Sequence, residues 1–172
     1  MKRTFKLLAF LVIPVLFAAC KKDSKAEPKL LLEKDLTVCP TGALCDFLFA
    51  DNSGMNGFDL LLSSGQYRVF WANTSLDNFT FSLYAMAPMV GDRFVLGKQD
   101  FAAGLVKLRN NCATCYAIGF VPVDGTIKGQ KLSGVTGQPD KWLLQIDIVA
   151  GSPSDTNLRM PLHLKQYFIN VN

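Results

Sequence analysis

Short stretches in which apolar and polar residues alternate recur along most of the chain. In Phe79–Ala85, for example, Phe, Phe, Leu and Ala occupy every second position. A period of two is typical of a half-buried β-strand, because successive side chains of a strand point to opposite faces of its sheet. The pattern predicts about ten short strands: Cys45–Ala50, Phe58–Leu62, Tyr67–Trp71, Phe79–Ala85, Arg93–Leu96, Leu105–Leu108, Tyr116–Val123, Thr126–Leu132, Leu144–Val149 and Leu162–Val171.

The segments between these strands carry turn signals. Ser63–Gln66 predicts a hairpin between the second and third strands, and Asp124–Gly125 predicts a tight turn between the seventh and eighth. Residues 151–161 contain Gly, Pro, Ser and Asp, and we expect a long loop there. The apolar segment Leu30–Leu36 is short enough to form either a helix or a strand.

The composition supports a chain dominated by strands and turns. Both Glu residues lie at or before Glu33, whereas ten Asp residues follow residue 36. Asp favours turns and caps, and Glu favours helix interiors. The predicted fold is therefore all-β, most simply an antiparallel β-sandwich, with a β-barrel as the alternative.

The N-terminal residues have the three-part pattern of an export signal. Lys2, Arg3 and Lys6 precede an uncharged, mostly apolar run of 13 residues, Leu7–Ala19. A membrane-spanning helix needs about 20 such residues and a signal peptide about 7–15, so a signal peptide is expected. Pro14 within the run also disfavours a long, unbroken helix.

This run ends in Leu16-Phe17-Ala18-Ala19-Cys20, which resembles the lipobox of bacterial lipoproteins. The resemblance covers only about the first 20 residues and departs in having Phe17 where Leu is usual. It implies cleavage before Cys20, attachment of diacylglycerol to its thiol, and anchoring in a membrane. Lys21 is not the Asp that retains lipoproteins at the inner membrane, which favours the outer membrane, facing the periplasm or the cell surface. The alternative is an ordinary secretory signal with a coincidental Cys.

We therefore expect a signal peptide over residues 1–19, a lipidated Cys20 with a flexible tether over 20–29, and one β-rich domain over 30–172. The charge changes with this division. The whole chain has a net charge of +4, but 10 basic and 10 acidic residues follow Leu36, so the domain from Thr37 onward is neutral. A neutral domain without a basic stripe does not suggest nucleic acid as a partner.

Four further cysteines fall into two close pairs, Cys39 with Cys45 and Cys112 with Cys115. Disulfides persist outside the cytoplasm, and four cysteines allow three pairings. Each close pair spans a turn-like segment, and the ends of a turn lie within reach of a disulfide. Local geometry therefore favours pairing within each pair, whereas a longer loop, such as Cys45 to Cys112, favours crossed pairing on entropic grounds.

Two alternatives for these thiols stay open. Cys112 and Cys115 form a CxxC motif, which redox enzymes use, although the following segment predicts a strand rather than the helix that lowers a thiolate pKa. All four cysteines together could instead bind zinc. We favour structural disulfides, and we expect no metal and no cofactor.

Other constellations point to no particular reaction. His163 is the single histidine; it alternates with leucines and is expected to face solvent, and no G-x-S-x-G motif is present. Most Asp residues sit in turn-like contexts, among them Asp51, and Asp51–Asp59 only partly matches a calcium loop. Aromatic residues could stack on sugars, although a core role is the simpler expectation for most of them: Tyr67, Trp71, Tyr116, Trp142 and Tyr167.

The leading hypothesis is a lipid-anchored, non-catalytic binding or accessory module with a carbohydrate or protein partner. It depends on the lipoprotein signal and on the lack of a recognisable catalytic constellation. Two alternatives belong to other classes: a thiol-disulfide protein that uses Cys112 and Cys115, and a barrel that carries an apolar ligand.

Overall fold

The computed structural model describes residues 30–56, 60–112, 119–132 and 140–171. Strands account for 64% of the structure and form one curled sheet of nine, so the all-β expectation is confirmed. The choice between a sandwich and a closed barrel stays a prediction. The elements are β1 (Leu44–Met55), β2 (Leu62–Ser64), β3 (Tyr67–Leu76), β4 (Phe79–Pro88), β5 (Arg93–Leu96), α1 (Lys98–Ala102), β6 (Val106–Cys112), β7 (Val121–Leu132), β8 (Lys141–Gly151) and β9 (Arg159–Asn170).

The strands follow the order β5-β7-β8-β9-β1-β3-β4-β6, with β2 paired to β1 outside this path. All described pairs are antiparallel except β1 with β9, which is parallel and short: Leu48 faces Ile169, and Phe49 faces Asn170. The expectation of a purely antiparallel sheet was therefore wrong, and the sheet is mixed. This pair joins β1, the first strand of the chain, to β9, the last.

Aromatic side chains fill the concave face of the sheet. Phe70 lies at the centre of this cluster, with ring centroids 5.3–5.7 Å from those of Phe49, Phe94, Trp142 and Phe168. Offset and edge-to-face contacts of this kind contribute beyond the apolar area that they bury. Because these five residues come from β1, β3, β5, β8 and β9, the cluster holds the two halves of the sheet together.

Two predicted turns are absent, for local reasons. Asp124–Gly125 lies inside β7, where the register with β8 shifts between Pro122 and Asp124, as in a β-bulge. Gly125 has φ +108°, and a Cβ there would lie 2.2 Å from the carbonyl oxygen of Asp147, so the bulge requires glycine. The predicted hairpin around Ser63–Gln66 is also wrong, since β2 and β3 both pair with β1.

The short helix α1 was not predicted. The N–H of Gly97, its N-cap, donates to Asp100 Oδ2 over 2.8 Å, which fixes the first turn. Phe101 is 6% exposed and packs into the main core. Within the part of the chain that the structure describes, no helix is long and apolar enough to cross a membrane.

Residues 30–39, which we call the strap, form neither the helix nor the strand that Leu30–Leu36 left open. The strap crosses the convex face of β7–β9 and is held there by side chains. Leu31 N donates to Gln130 Oε1 over 2.8 Å, and the Tyr167 hydroxyl donates to Glu33 Oε2 over 2.6 Å. The bond to Glu33 raises the pKa of Tyr167 above its usual value.

The strap ends against the free edge of β9, where β1 and β9 have separated. Thr37 exchanges bonds with the backbone of Lys165: its N–H donates to the Lys165 carbonyl, and its Oγ1 accepts from the Lys165 N–H. Gln166 bridges the same gap, accepting from the N–H of Tyr167 and donating to the carbonyl of Thr37. The strap therefore replaces a missing strand partner with a mixture of backbone and side-chain bonds.

Candidate functional site

A cleft opens between the two ends of the curled sheet, a region that we call the seam. The short strand β5 pairs only with Ile127–Gln130 of β7, so the first residues of β7 have no described strand on that side. Helix α1 occupies this position instead, and β6 approaches from the other end of the sheet. The space that remains has a volume of about 820 Å³.

The lining of this cleft combines apolar and basic side chains. The alternation of β6 places Val106 and Leu108 toward the main core, and the intervening Lys107 and Arg109 on the opposite face. No carboxylate is among the described residues that line the cleft, which are Leu60, Phe101, Ala102, Gly104, Val106, Lys107, Leu108, Arg109, Asn110, Phe120, Val121 and Pro122. Apolar and basic side chains therefore line the same cleft.

A buried ion pair lies on the concave face at the end of the sheet near β2. Arg68 donates through Nε and Nη2 to the two carboxylate oxygens of Asp51, the second bond measuring 3.0 Å. The side chains are 7% and 23% exposed. The guanidinium carbon also lies 4.4 Å from the centre of the Trp142 ring, which adds a cation–π contact.

Two donors beside this pair lack an acceptor among the described residues. They are Nη1 of Arg68 and Nε1 of Trp142, both buried. They mark a polar point inside an aromatic core.

A second polar cluster lies on the convex face, where β8 and β9 are paired. His163 Nδ1 lies 3.1 Å from Asp147 Oδ1, and Gln145 Nε2 donates to Asp147 Oδ2 over 2.6 Å. Partial burial raises the pKa of Asp147, but the bonds from His163 and Gln145 outweigh it and leave that pKa below its usual value. The His163 side chain is 72% exposed, which confirms that it faces solvent.

The predicted cysteine sites are described only in part. Cys39 and Cys45 form a disulfide, with Cα atoms 6.0 Å apart, which agrees with local pairing and ties the end of the strap to β1. Cys20 and Cys115 lie outside the described residues, as does the side chain of Cys112. Lipidation at Cys20, and either a disulfide or a redox role at Cys112 and Cys115, therefore stay predictions.

The aromatic residues considered for sugar binding are divided between the two faces. Trp142 is 1% exposed and belongs to the core, as expected. Tyr67, Trp71 and Tyr167 are half-buried and lie outside the main core cluster, and Tyr116 is outside the described residues. Trp71 faces Tyr84 directly across β3 and β4, a pair that we did not single out from the sequence.

Sequence reasoning assigned Asp51 to a turn, and this was wrong: it lies within β1 and holds Arg68. A signal for the pair was present. Arg68 alternates with Phe70, and Asp51 follows Phe49 at an interval of two, so both positions fall on the face of core aromatics. The cleft left no such signal, because it depends on how α1, β6 and the start of β7 pack against one another in space.

No three His, Cys, Asp or Glu side chains of the described residues come together in a way that could hold a metal ion. Comparisons of the chain with protein-family models, with curated proteins and with solved structures returned no match.

Proposed function

We propose that this chain is a non-catalytic binding module, anchored in the outer membrane through a lipid on Cys20, that binds an amphipathic small molecule. The observation that carries the proposal is the cleft between β6, α1 and the start of β7. Its volume of about 820 Å³ falls within the range of about 300–1,000 Å³ typical of small-molecule pockets.

The ligand chemistry follows from the side chains that line the cleft. Leu108, Phe120 and Val121 are at least partly exposed and present apolar surface, which favours an acyl chain or a ring system. Lys107 and Arg109 add positive charge, which favours a carboxylate or phosphate head group. We therefore expect an amphipathic anion.

The curl of the sheet supports the barrel rather than the sandwich as the finer description of the fold. The inward residues of five strands converge on one aromatic cluster, and α1 and β6 approach β7 from either side of the seam. In a barrel of about eight strands the interior is largely filled by side chains, which places a ligand at the seam or the mouth.

Binding can be tested with an anthroyloxy fatty acid, whose fluorescence reports transfer into an apolar site. Val121 lines the cleft and is 44% exposed; Val95, on β5, is 45% exposed and does not line it. Val121→Glu introduces a carboxylate beside the bound head group and chain, and should raise Kd about tenfold, equivalent to about 1.4 kcal/mol. Val95→Glu should leave Kd unchanged.

Equal effects of the two substitutions, or no saturable binding by the unaltered protein, would remove the support for the cleft. Anchoring is tested separately. Cys20→Ala should release the protein from the membrane fraction, since stable attachment needs more than one acyl chain and none would be added. Unchanged retention would contradict the lipid anchor while leaving the cleft proposal intact.

One observation favours carbohydrate as a second class of ligand. Trp71 and Tyr84 lie opposite each other on the convex face of β3 and β4, and both are half-buried rather than internal. Adjacent aromatic rings on one face can stack on a sugar. Trp71→Ala should abolish binding on a glycan array and leave fatty-acid binding unchanged; an unaltered glycan profile would exclude this pair as the sugar site.

A further inference from the structure

We infer that the strap is a membrane-docking surface, and that Leu30 and Leu32 insert into the head-group region of the bilayer. The inference rests on the proposed anchor at Cys20 and adds to it an orientation: the convex face of β7–β9 lies against the membrane. The occupant is the bilayer itself.

The strap is fastened to the sheet at two of its residues. Leu31 is bound through its N–H to Gln130, and Glu33 is bound to Tyr167, so alternate residues of the strap are held against the sheet. Leu30 precedes Leu31, and Leu32 lies between Leu31 and Glu33. The two leucines are 57% and 60% exposed. The strap thus presents leucine side chains outward from an attached backbone, which lowers the entropic cost of inserting them.

The chain between the lipid and the strap is short. Nine residues lie between Cys20 and Leu30, and the ten steps that join the two span at most about 36 Å even when fully extended. A compact domain of about 140 residues is roughly 38 Å across. Because the linkage is shorter than the domain diameter, the face opposite Leu30 cannot reach the bilayer, and contact through the face that carries the strap is favoured.

The strap has no net positive charge that would bind it to anionic lipids, since Lys34 lies between Glu33 and Asp35. Its apolar side chains must therefore provide the attraction. Docking should accordingly occur on zwitterionic phosphatidylcholine and be insensitive to salt, in contrast to a polybasic segment.

The test uses the full-length lipidated protein in phosphatidylcholine proteoliposomes, with acyl chains brominated near their carboxyl end as quenchers. Leu32→Trp places a reporter on the strap. Leu61→Trp is the matched control, because Leu61 is 61% exposed, against 60% for Leu32, and lies outside the strap. The unaltered protein supplies the background of Trp71 and Trp142. The emission added by Leu32→Trp should shift to the blue and be largely lost in brominated vesicles, while that of Leu61→Trp should be unaffected.

Each other outcome overturns the inference in a distinguishable way. Equal quenching of both reporters would show no preferred face, and quenching of Leu61→Trp alone would place a different face on the bilayer. A blue shift of Leu32→Trp without quenching would mean that protein, such as a second copy, covers the strap. If neither reporter loses emission while the protein stays on the vesicles, docking is refuted but the anchor is not. Failure of the unaltered protein to remain on vesicles refutes the anchor and docking together.

Discussion

Replacing Asp51 with Asn should destabilise the fold more than replacing Arg68 with Met, although each substitution breaks the same ion pair. The asymmetry comes from burial. The Arg68 side chain is 7% exposed and that of Asp51 is 23% exposed, so only the carboxylate can be rehydrated when its partner is lost.

The magnitudes follow from what each variant leaves behind. Asp51→Asn leaves a buried guanidinium without a counter-ion, which costs about 3 kcal/mol, the lower end of the range for breaking a buried pair, because Trp142 still faces the cation at 4.4 Å. Arg68→Met retains an apolar stem in the same space and leaves a carboxylate that reaches water. We expect a cost of about 1–2 kcal/mol, close to that of losing hydrogen bonds to a charged group.

Urea denaturation measures both costs as changes in the midpoint at a constant m value. Lys131 and Asp140 provide a control, since their contact of 2.8 Å joins side chains that are 33% and 44% exposed. Asp140→Asn should cost less than about 1 kcal/mol, as for exposed ion pairs. A double variant in which Leu replaces Asp51 and Met replaces Arg68 should regain most of the lost stability, because an apolar pair needs no desolvation of charge.

An equal cost for Arg68→Met and Asp51→Asn would contradict this asymmetry. That result would mean that the hydrogen bonds and the cation–π contact of the Arg68 guanidinium, rather than its uncompensated charge, determine the stability. A double variant less stable than either single variant would show that the pair provides net stabilisation that apolar packing cannot replace.

Three further predictions concern separate parts of the sheet. Gly129→Ala should destabilise by about 1–3 kcal/mol in thermal unfolding, because a Cβ there would lie 2.0 Å from the Phe94 ring; a smaller change would mean that the ring moves freely. Cys45→Ser should cost about 2.3 kcal/mol in urea relative to the oxidised protein, the value for closing a loop of about seven residues. If the unaltered protein were as stable reduced as oxidised, this prediction would be contradicted. The pKa of Asp147 is lowered in the fold, so the stabilisation from its carboxylate is present above the unfolded pKa and is lost as the pH falls through the folded pKa. His163→Ala should weaken this loss of stability in acid, measured by unfolding at a series of pH values. An unchanged pH profile would show that His163 does not contribute to it.

The strands that alternation predicted correctly are those whose two faces have different surroundings. Arg93–Leu96 has the bounds that were predicted, and its exposed and buried residues alternate strictly. β4 and β8 extend their predicted cores by a few residues at their ends. A period of two is a local property, so it can be found without knowledge of the partner strand.

The pairing of strands was harder to predict, because residues with one local preference serve different geometries. Asp124–Gly125 suits a tight turn, but the same positive φ at Gly125 also suits a bulge within a continuous strand. Only the presence of β8 beside both halves of β7 decides between them. The parallel contact of β1 with β9 is likewise non-local, since more than 100 residues separate the two strands.

The need for the strap was visible in the sequence of β8, but the segment that meets this need lies far from β8 in the chain. Trp142, Leu143 and Leu144 break the alternation of β8, and all three are at most 1% exposed. Trp142 and Leu144 belong to the main core, whereas Leu143 does not and therefore faces the convex side. A strand that is apolar on both faces must be covered on both. On the convex side, Gln130 and Tyr167 flank Leu143 in register and bind the strap, which makes the strap the cover that the apolar run requires. The run alone indicates that a cover exists; the polar partners of the strap decide which segment provides it.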